Sequence, residues 1–241
     1  MIKFFRHIRK NLLMEKKTSK YFKYAIGEII LVVIGILIAL QINNWNEERK
    51  NRVVETQLLE NLRSSLVSDV QNQINPILEQ LELDLSNIRD IKHFLKISAT
   101  YHDSMNIKFN SLMYSKIFLY EVTSYKALEN EGLKLIQNPE LKSNILKLYN
   151  MEYTELEYNI ENFMNNLMSF YRPNMRELFL FLDDNEDKGY KPDDYESLRT
   201  NRDFRNNLIT CTTNCSNIYK TTSKLKVKVE SLIATIDKEL K

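Results

Sequence analysis

The chain has 241 residues, with 34 Lys and Arg against 32 Asp and Glu, a formal net charge of +2. Its 4 Gly and 4 Pro are too few for a sandwich, a barrel or a Rossmann-type fold, and its 2 Cys and 3 His exclude a disulfide scaffold and leave little for a zinc domain. At 43% hydrophobic and 10% aromatic the chain is not disordered, which leaves a mostly helical protein.

The near-neutral total hides an asymmetry. The first 23 residues form a basic arm carrying Lys3, Arg6, Arg9, Lys10, Lys16, Lys17, Lys20 and Lys23, opposed only by Glu15. A 19-residue segment follows, Tyr24 to Ile42, in which Ile29 to Leu40 contains no polar side chain. As a helix it spans about 28 Å, close to the hydrocarbon thickness of a bilayer. Tyr21, Phe22 and Tyr24 mark one interface and Trp45 the other. The positive-inside rule places the arm in the cytoplasm and everything after Asn43 across the membrane, in the periplasm of a Gram-negative cell. A cleaved signal peptide would have a shorter apolar region and an A-x-A-like exit, and Ala39-Leu40-Gln41 is a poor one. A buried helix of a soluble protein seldom has so long an uncharged run. The segment is therefore expected to be an uncleaved anchor, and the arm to meet anionic lipid headgroups rather than nucleic acid.

Glu28 is the ionisable residue inside this segment. One turn from the inner interface, it can snorkel to the headgroups, or it can make a polar contact between anchors in an oligomer. Gly35 and Ala39 form a small-xxx-small pair that allows close helix approach.

Residues 46–241 are expected to form an extracytoplasmic body of four helical stretches. The first carries a stripe at Val54, Leu58, Leu62, Leu66, Val70, Ile74, Ile77, Leu81, Leu85, Ile88, Ile91 and Leu95. No Gly or Pro intervenes at Asn43–Asn46, so this helix can run on from the anchor; Pro76 should kink or split it near Asn75. A second, looser stretch covers about Ile107 to Asn130, with Ile117, Tyr120, Ser124 and Leu128 on one face and Gly132 as terminator. A third begins at Asn138-Pro139-Glu140 and continues through Leu141, Ile145, Leu148, Glu152, Leu156, Ile160, Phe163, Leu167 and Phe170. Arg172-Pro173 marks a kink, after which it resumes through Phe179, Leu180 and Phe181. The polar loop Asp183 to Asp194 precedes the fourth. There Leu208, Cys211, Cys215, Ile218, Thr222, Leu225, Val229, Leu232 and Ile236 alternate steps of three and four, the seam of a coiled coil or bundle.

Chemistry-bearing residues are sparse. Cys211 and Cys215 lie four apart on that seam. As helical neighbours about 6 Å apart they can be small core residues, a strained disulfide or, least in keeping with the spacing, metal ligands. Asp183 to Asp187 reads D-x-N-x-D like the start of a calcium loop, but the next position is Lys188, Gly189 falls one place late and the twelfth position is Asp194 rather than Glu. The reading is a solvated acidic turn. His7, His93 and His102 are scattered, and no G-x-S-x-G, P-loop or H-E-x-x-H motif occurs. No catalytic, cofactor-binding or metal-binding residue is expected, and the chain is not expected to be an enzyme.

Two stretches resemble a known family. Residues 24–47, with Gly27-Glu28 and Gln41-Ile42-Asn43-Asn44-Trp45-Asn46, and residues 123–138, Thr123 to Asn138, are similar to an uncharacterised family of membrane-anchored Gram-negative bacterial proteins, known as a domain of unknown function. The resemblance is expected to run the whole length, through a short basic N-terminus, one anchor and a helical body; it implies no mechanism. The third and fourth helices carry no motif of that family.

The resulting expectation is an all-α protein, one N-terminal transmembrane helix followed by an antiparallel bundle of about four long helices. Its anticipated role is an interaction or scaffold module that meets a protein partner or a second copy of itself. The alternative is a sensor-like bundle that binds a small ligand. A scaffold should expose an apolar patch near Phe170 to Phe181, and a sensor should hold a cavity of several hundred Å³ with inward polar groups, roughly the size of known ligand pockets.

Overall fold

Helix α1, Thr18–Asp69, takes up the apolar run in a single helical stretch. This is from a computed structural model, which describes residues 18–97, 100–113, 115–183 and 188–241. Lys3, Arg6, Arg9, Lys10, Lys16 and Lys17 lie outside the described residues, as do His7 and the centre of the acidic loop, 184–187. The chain separates into two units, Met1–Glu55 and Thr56–Lys241.

In the first unit the apolar run leaves its side chains exposed, with none of its most apolar window buried. It is the one helix among the described residues long and apolar enough to cross a membrane. Leu, Ile and Val can all adopt helical rotamers, and in a non-aqueous medium the backbone must bond to itself, which a helix alone achieves within one segment.

In the second unit the chain runs from Thr56 through α1 into a π turn, Val70–Ile74, and then α2, Asn75–Lys96. Pro76 lacks an N–H and its ring would meet the carbonyl four residues back. The π turn relieves this: the Asn75 N–H bonds to the Val70 carbonyl, one residue further than usual, and Asn75 keeps helical angles. Pro76 therefore neither ends the helix nor splits it. The same device recurs before Pro173, where the Arg172 N–H reaches the Leu167 carbonyl in the π turn Leu167–Tyr171.

The second expected helix does not form. In its place stand two 3₁₀ turns, Asp103–Met105 and Lys108–Leu112, a stretch without regular structure, and short α3, Thr123–Ala127, which runs into a π turn at Leu128–Gly132. Asn106, Asn110, Ser111 and Ser115 are weak helix formers, and no stripe of period 3.6 opposes them. The helical stretch ends at Gly132, as read, and Gly132 is also buried: a Cβ there would lie 2.4 Å from Leu58 Cδ1.

The third stretch starts as read. Asn138 Oδ1 accepts from the N–H groups of Glu140 and Leu141, 3.1 Å each, and Pro139 opens α4, Pro139–Lys147. A π turn, Leu148–Glu152, leads into α5, Tyr153–Asn166, and the π turn Leu167–Tyr171 into α6, Arg172–Leu178. Each π turn adds one residue and slips the stripe by one position. Tyr153, not Glu152, is buried, and Tyr171, not Phe170, faces inward. Phe170 is 65% exposed and Tyr171 6%.

The helix also stops earlier than expected. Phe179 is extended, and Phe179–Asp183 (β1) pairs antiparallel with Lys188–Pro192 (β2), Phe181 opposite Tyr190. Gly189 has φ of 118°, and the neighbouring Tyr190 N–H bonds to the Asn106 carbonyl at 3.0 Å. The hairpin is thus fixed to the irregular segment. Phe179 packs on Phe109 and Phe204, with ring centres 4.8 and 5.7 Å away. After short α7, Tyr195–Thr200, the Asn201 side chain caps the long α8, Arg202–Glu239.

Helix α8 is the common partner of two columns. Against the first it pairs Asp237 with Arg63 and Tyr219 with Glu82; against the second it pairs Glu239 with Asn138, Lys228 with Glu152 and Asn207 with Asn174. In both series rising numbers meet falling ones, so α8 runs antiparallel to both columns. All nine seam residues from Leu208 to Ile236 are buried. The architecture is thus mostly helical, with three long columns where four were expected, and with an irregular segment and a two-stranded hairpin in place of the remainder.

Candidate functional site

The residues singled out in the anchor behave as a lone helix requires. Gly35, Ala39, Ile42 and Trp45 are exposed, and a Cβ on Gly27 or Gly35 would meet nothing within 4 Å. Glu28 is partly exposed and Lys23 exposed; the side chains of Lys20 and Tyr24 are outside the description.

Cys211 and Cys215 are both free and buried. The Cys215 thiol is pushed up by its hydrogen bond with Cys211 and then by burial, so it is not an activated nucleophile. Asp194, the last oxygen position of the calcium-like loop, caps α7 by accepting from the Ser197 N–H at 3.1 Å. His102 caps a 3₁₀ turn, and His93 lies in the last turn of α2. Among the described residues no three His, Cys, Asp or Glu stand close enough to hold a metal ion.

The structure instead assembles polar groups that the sequence pattern does not connect. The first set surrounds Asp69, at the end of α1. Its Oδ2 accepts from the Tyr153 hydroxyl at 2.9 Å and its Oδ1 from the Glu121 N–H at 3.0 Å. Burial raises its pKa above the ordinary carboxylate value, against the lowering effect of these two bonds. Around it lie Tyr149, stacked on Tyr125 with centres 4.1 Å apart, and Tyr120, 4.4 Å from Tyr153. Three of the π turns border this cluster: Asp69 precedes one, Tyr149 lies within another, and Tyr125 donates to Glu129 in the third. The Tyr149 hydroxyl is buried without a partner among the described residues. Asp69, Tyr125, Tyr149 and Tyr153 are all buried, so the cluster is part of the core.

The second set does line an opening. A cleft of about 510 Å³ lies between α2 and the irregular segment. In its wall is Asp84, 6% exposed, accepting from Gln80 Nε2 at 3.0 Å and hydrogen-bonded to Ser111. Asn87 donates to the same Ser111 hydroxyl at 3.0 Å, so the donors around the carboxylate are held in place. Burial raises the Asp84 pKa, and the positive charge of Lys116, on the same cleft, lowers it in part.

The third feature continues from that wall. Residues 115–121 carry no regular secondary structure, with Phe118 buried, Tyr120 half-buried, and Ile117 and Leu119 pointing outward at 64% and 68% exposure. Among the described residues no backbone–backbone hydrogen bond joins residues 115–121 to another segment; the Glu121 N–H goes to Asp69 and the Ser115 hydroxyl to the Lys116 carbonyl. This is a bare edge of chain outside any ladder, with an apolar outer side. The expected patch near Phe170 to Phe181 is also present in part, since Phe170, Leu180 and Phe181 are exposed.

None of these three features was read from the sequence. Asp69 and Asp84 each stand beside a stripe position, where a carboxylate reads as solvated; their partners are distant in sequence, Glu121 and Tyr153 for Asp69 and Ser111 for Asp84. The model of a family of unknown function, DUF6090, matches residues 28–182, a span that contains Asp69, Asp84, the cleft and the bare edge. No curated protein and no solved structure matches the chain.

Proposed function

The chain belongs to DUF6090, a family of unknown function, and from its own physical features we propose that it is a membrane-anchored helical protein that works by binding another protein. The anchor is Tyr24 to Ile42, with Trp45 at the outer interface and the basic arm on anionic headgroups of the inner membrane's cytoplasmic face. The body, residues 46–241, then lies in the periplasm. Its role is recognition rather than catalysis.

The observation that carries this reading is the bare edge at residues 115–121. Backbone that joins no ladder among the described residues, beside outward Ile117 and Leu119, forms a template along which a partner strand can lie. The two alternating apolar side chains supply the specificity. The occupant is an extended segment of a partner protein with apolar side chains at every second position.

A photo-crosslinking residue placed at Leu119 in intact membranes tests this. One discrete adduct is expected there, and none from the same probe at exposed Tyr158 on α5. Equal, diffuse labelling at both positions, or none at Leu119, would refute it. Sidedness has its own check: a cysteine-specific impermeant reagent should label a cysteine placed at Asn51 from outside spheroplasts and not one placed at Lys10.

A second reading is favoured by the Asp84 cleft. Its size lies within the range of small-molecule pockets, roughly 300–1,000 Å³, and its wall holds inward polar groups, as a ligand-binding sensor module requires.

A further inference from the structure

The charges on the Asp84 cleft are arranged in an unusual way. Asp84 is almost wholly buried yet makes no ion pair among the described residues; its partners are the neutral donors Gln80 and Ser111. Lys116 lines the same cleft, close enough to act on Asp84 through space, but the two stand beyond ion-pair distance. Opposite charges that face one cleft without closing on each other leave a gap that a molecule bearing both charges can fill. The other lining groups are uncharged, and Leu83 and Ile107, each about half exposed, add apolar contact at the same place.

We propose that this cleft binds a small zwitterion of the amino-acid class, with its ammonium group on the Asp84 carboxylate, its carboxylate on the Lys116 ammonium, and its side chain against Leu83 and Ile107. The assignment rests on the ligand-binding reading of the cleft. Electrostatic complementarity selects it from the alternatives. A neutral polyol leaves both charges unanswered. A simple amine answers Asp84 and repels Lys116; a simple carboxylate does the reverse. A divalent cation needs several oxygen ligands with more than one negative charge, and Asp84 is the acidic residue on this wall. The bonds of Gln80 to Asp84 and of Asn87 to Ser111 fix the wall in advance, so little ordering opposes binding.

The full chain in detergent micelles, titrated with each standard amino acid at about 10 mM and followed by thermal unfolding, tests the proposal. At least one amino acid is expected to raise the unfolding temperature by about 2 °C or more. Its decarboxylated amine and its deaminated acid should bind about tenfold more weakly, as should the free amino acid to Asp84→Asn and to Lys116→Gln. Lys116 is exposed, so its variant keeps the test decisive if Asp84→Asn fails to fold. If the amine, or glucose run alongside, binds as well as the amino acid and Lys116→Gln changes nothing, the zwitterion assignment is overturned while the cleft remains a ligand site. If no compound in the panel shifts unfolding, both are overturned.

Discussion

The Tyr153 hydroxyl donates to the Asp69 carboxylate over 2.9 Å, at a place where the tyrosine has no exposure and the aspartate almost none. The bond ties the end of α1 to the start of α5. Because Asp69 also takes the Glu121 N–H, one carboxylate holds together three segments far apart in sequence. A buried carboxylate with only neutral donors is costly in its charged form, which is why the folded state holds its proton more tightly than an unfolded chain does.

That cost sets a pH dependence. The folded pKa of Asp69 is raised, so the fold is penalised above that pKa and the penalty is lifted as pH falls through it towards the ordinary value near 3.8. The groups facing Asp69 are Tyr153, Tyr149, Tyr120 and Glu121; the tyrosines stay neutral in this range, and Glu121, whose pKa is lowered by its bonds with Thr123, stays ionised longest. Asp69→Asn keeps both bonds, with its amide donating to Tyr153 and its carbonyl accepting from Glu121. Denaturant unfolding should place it within about 1 kcal/mol of the parent at pH 7. On acidification the parent should gain relative to the variant. Asp69→Ala orphans the buried Tyr153 hydroxyl and the Glu121 N–H and should lose roughly 2–5 kcal/mol. A parent–Asn difference that does not change with pH would contradict the argument.

The π turns make a different prediction, about deletion. A π turn holds one residue more than an α turn, so removing that residue restores ordinary pitch and leaves both flanking helices in phase. Met151 is exposed within the turn Leu148–Glu152. Its deletion should leave a folded protein with an unfolding temperature lowered by a few degrees, about 1 kcal/mol in a chain of this size. Deleting exposed Glu157 in the middle of α5 rotates everything beyond it by about 100° and should abolish cooperative unfolding. Circular dichroism melts of the two deletions check this.

The slipped stripe can be tested at adjacent residues. Phe170→Ala should change stability by less than about 0.5 kcal/mol, because the ring is mostly in solvent. Tyr171→Ala empties a core position facing Phe163 and should cost roughly 3–5 kcal/mol. The unshifted spacing of the sequence predicts the opposite order.

Two glycines should respond unequally to alanine. A Cβ on Gly189 would sit 2.3 Å from the Asn106 backbone oxygen, on a residue whose φ of 118° already disfavours a side chain. At Gly132 the obstructing atoms are the tips of Leu58 and Leu128, which can turn aside. Gly189→Ala should therefore cost about 3 kcal/mol or more, and Gly132→Ala roughly 1–3 kcal/mol, by equilibrium unfolding.

What could be read in advance follows from how local the cause is. The α8 seam and the Asn138 cap depend on neighbours three or four positions away, and both were legible. The positions Glu152 and Phe170 were misassigned because a π turn breaks the constant period that such a reading assumes. The hairpin had a signal, an Asp/Asn/Glu cluster with Gly189 and Pro192 between short runs, but Phe179 to Leu182 also suited a helix. The cleft had none. Asp84 looks like any solvated acid until Ser111 and Lys116 are folded over it, and those contacts link residues more than twenty positions apart.

Ser115 and Lys116 belong to the cleft, and the next residues, Ile117 and Leu119, belong to the bare edge. A single short run of backbone would therefore touch both proposed occupants at once. A solute that steadied Lys116 would stiffen the strand beside it, and a strand laid along Leu119 would tighten the grip on the solute by the same factor. No hinge or domain rotation is needed for such crosstalk; covalent adjacency alone provides it.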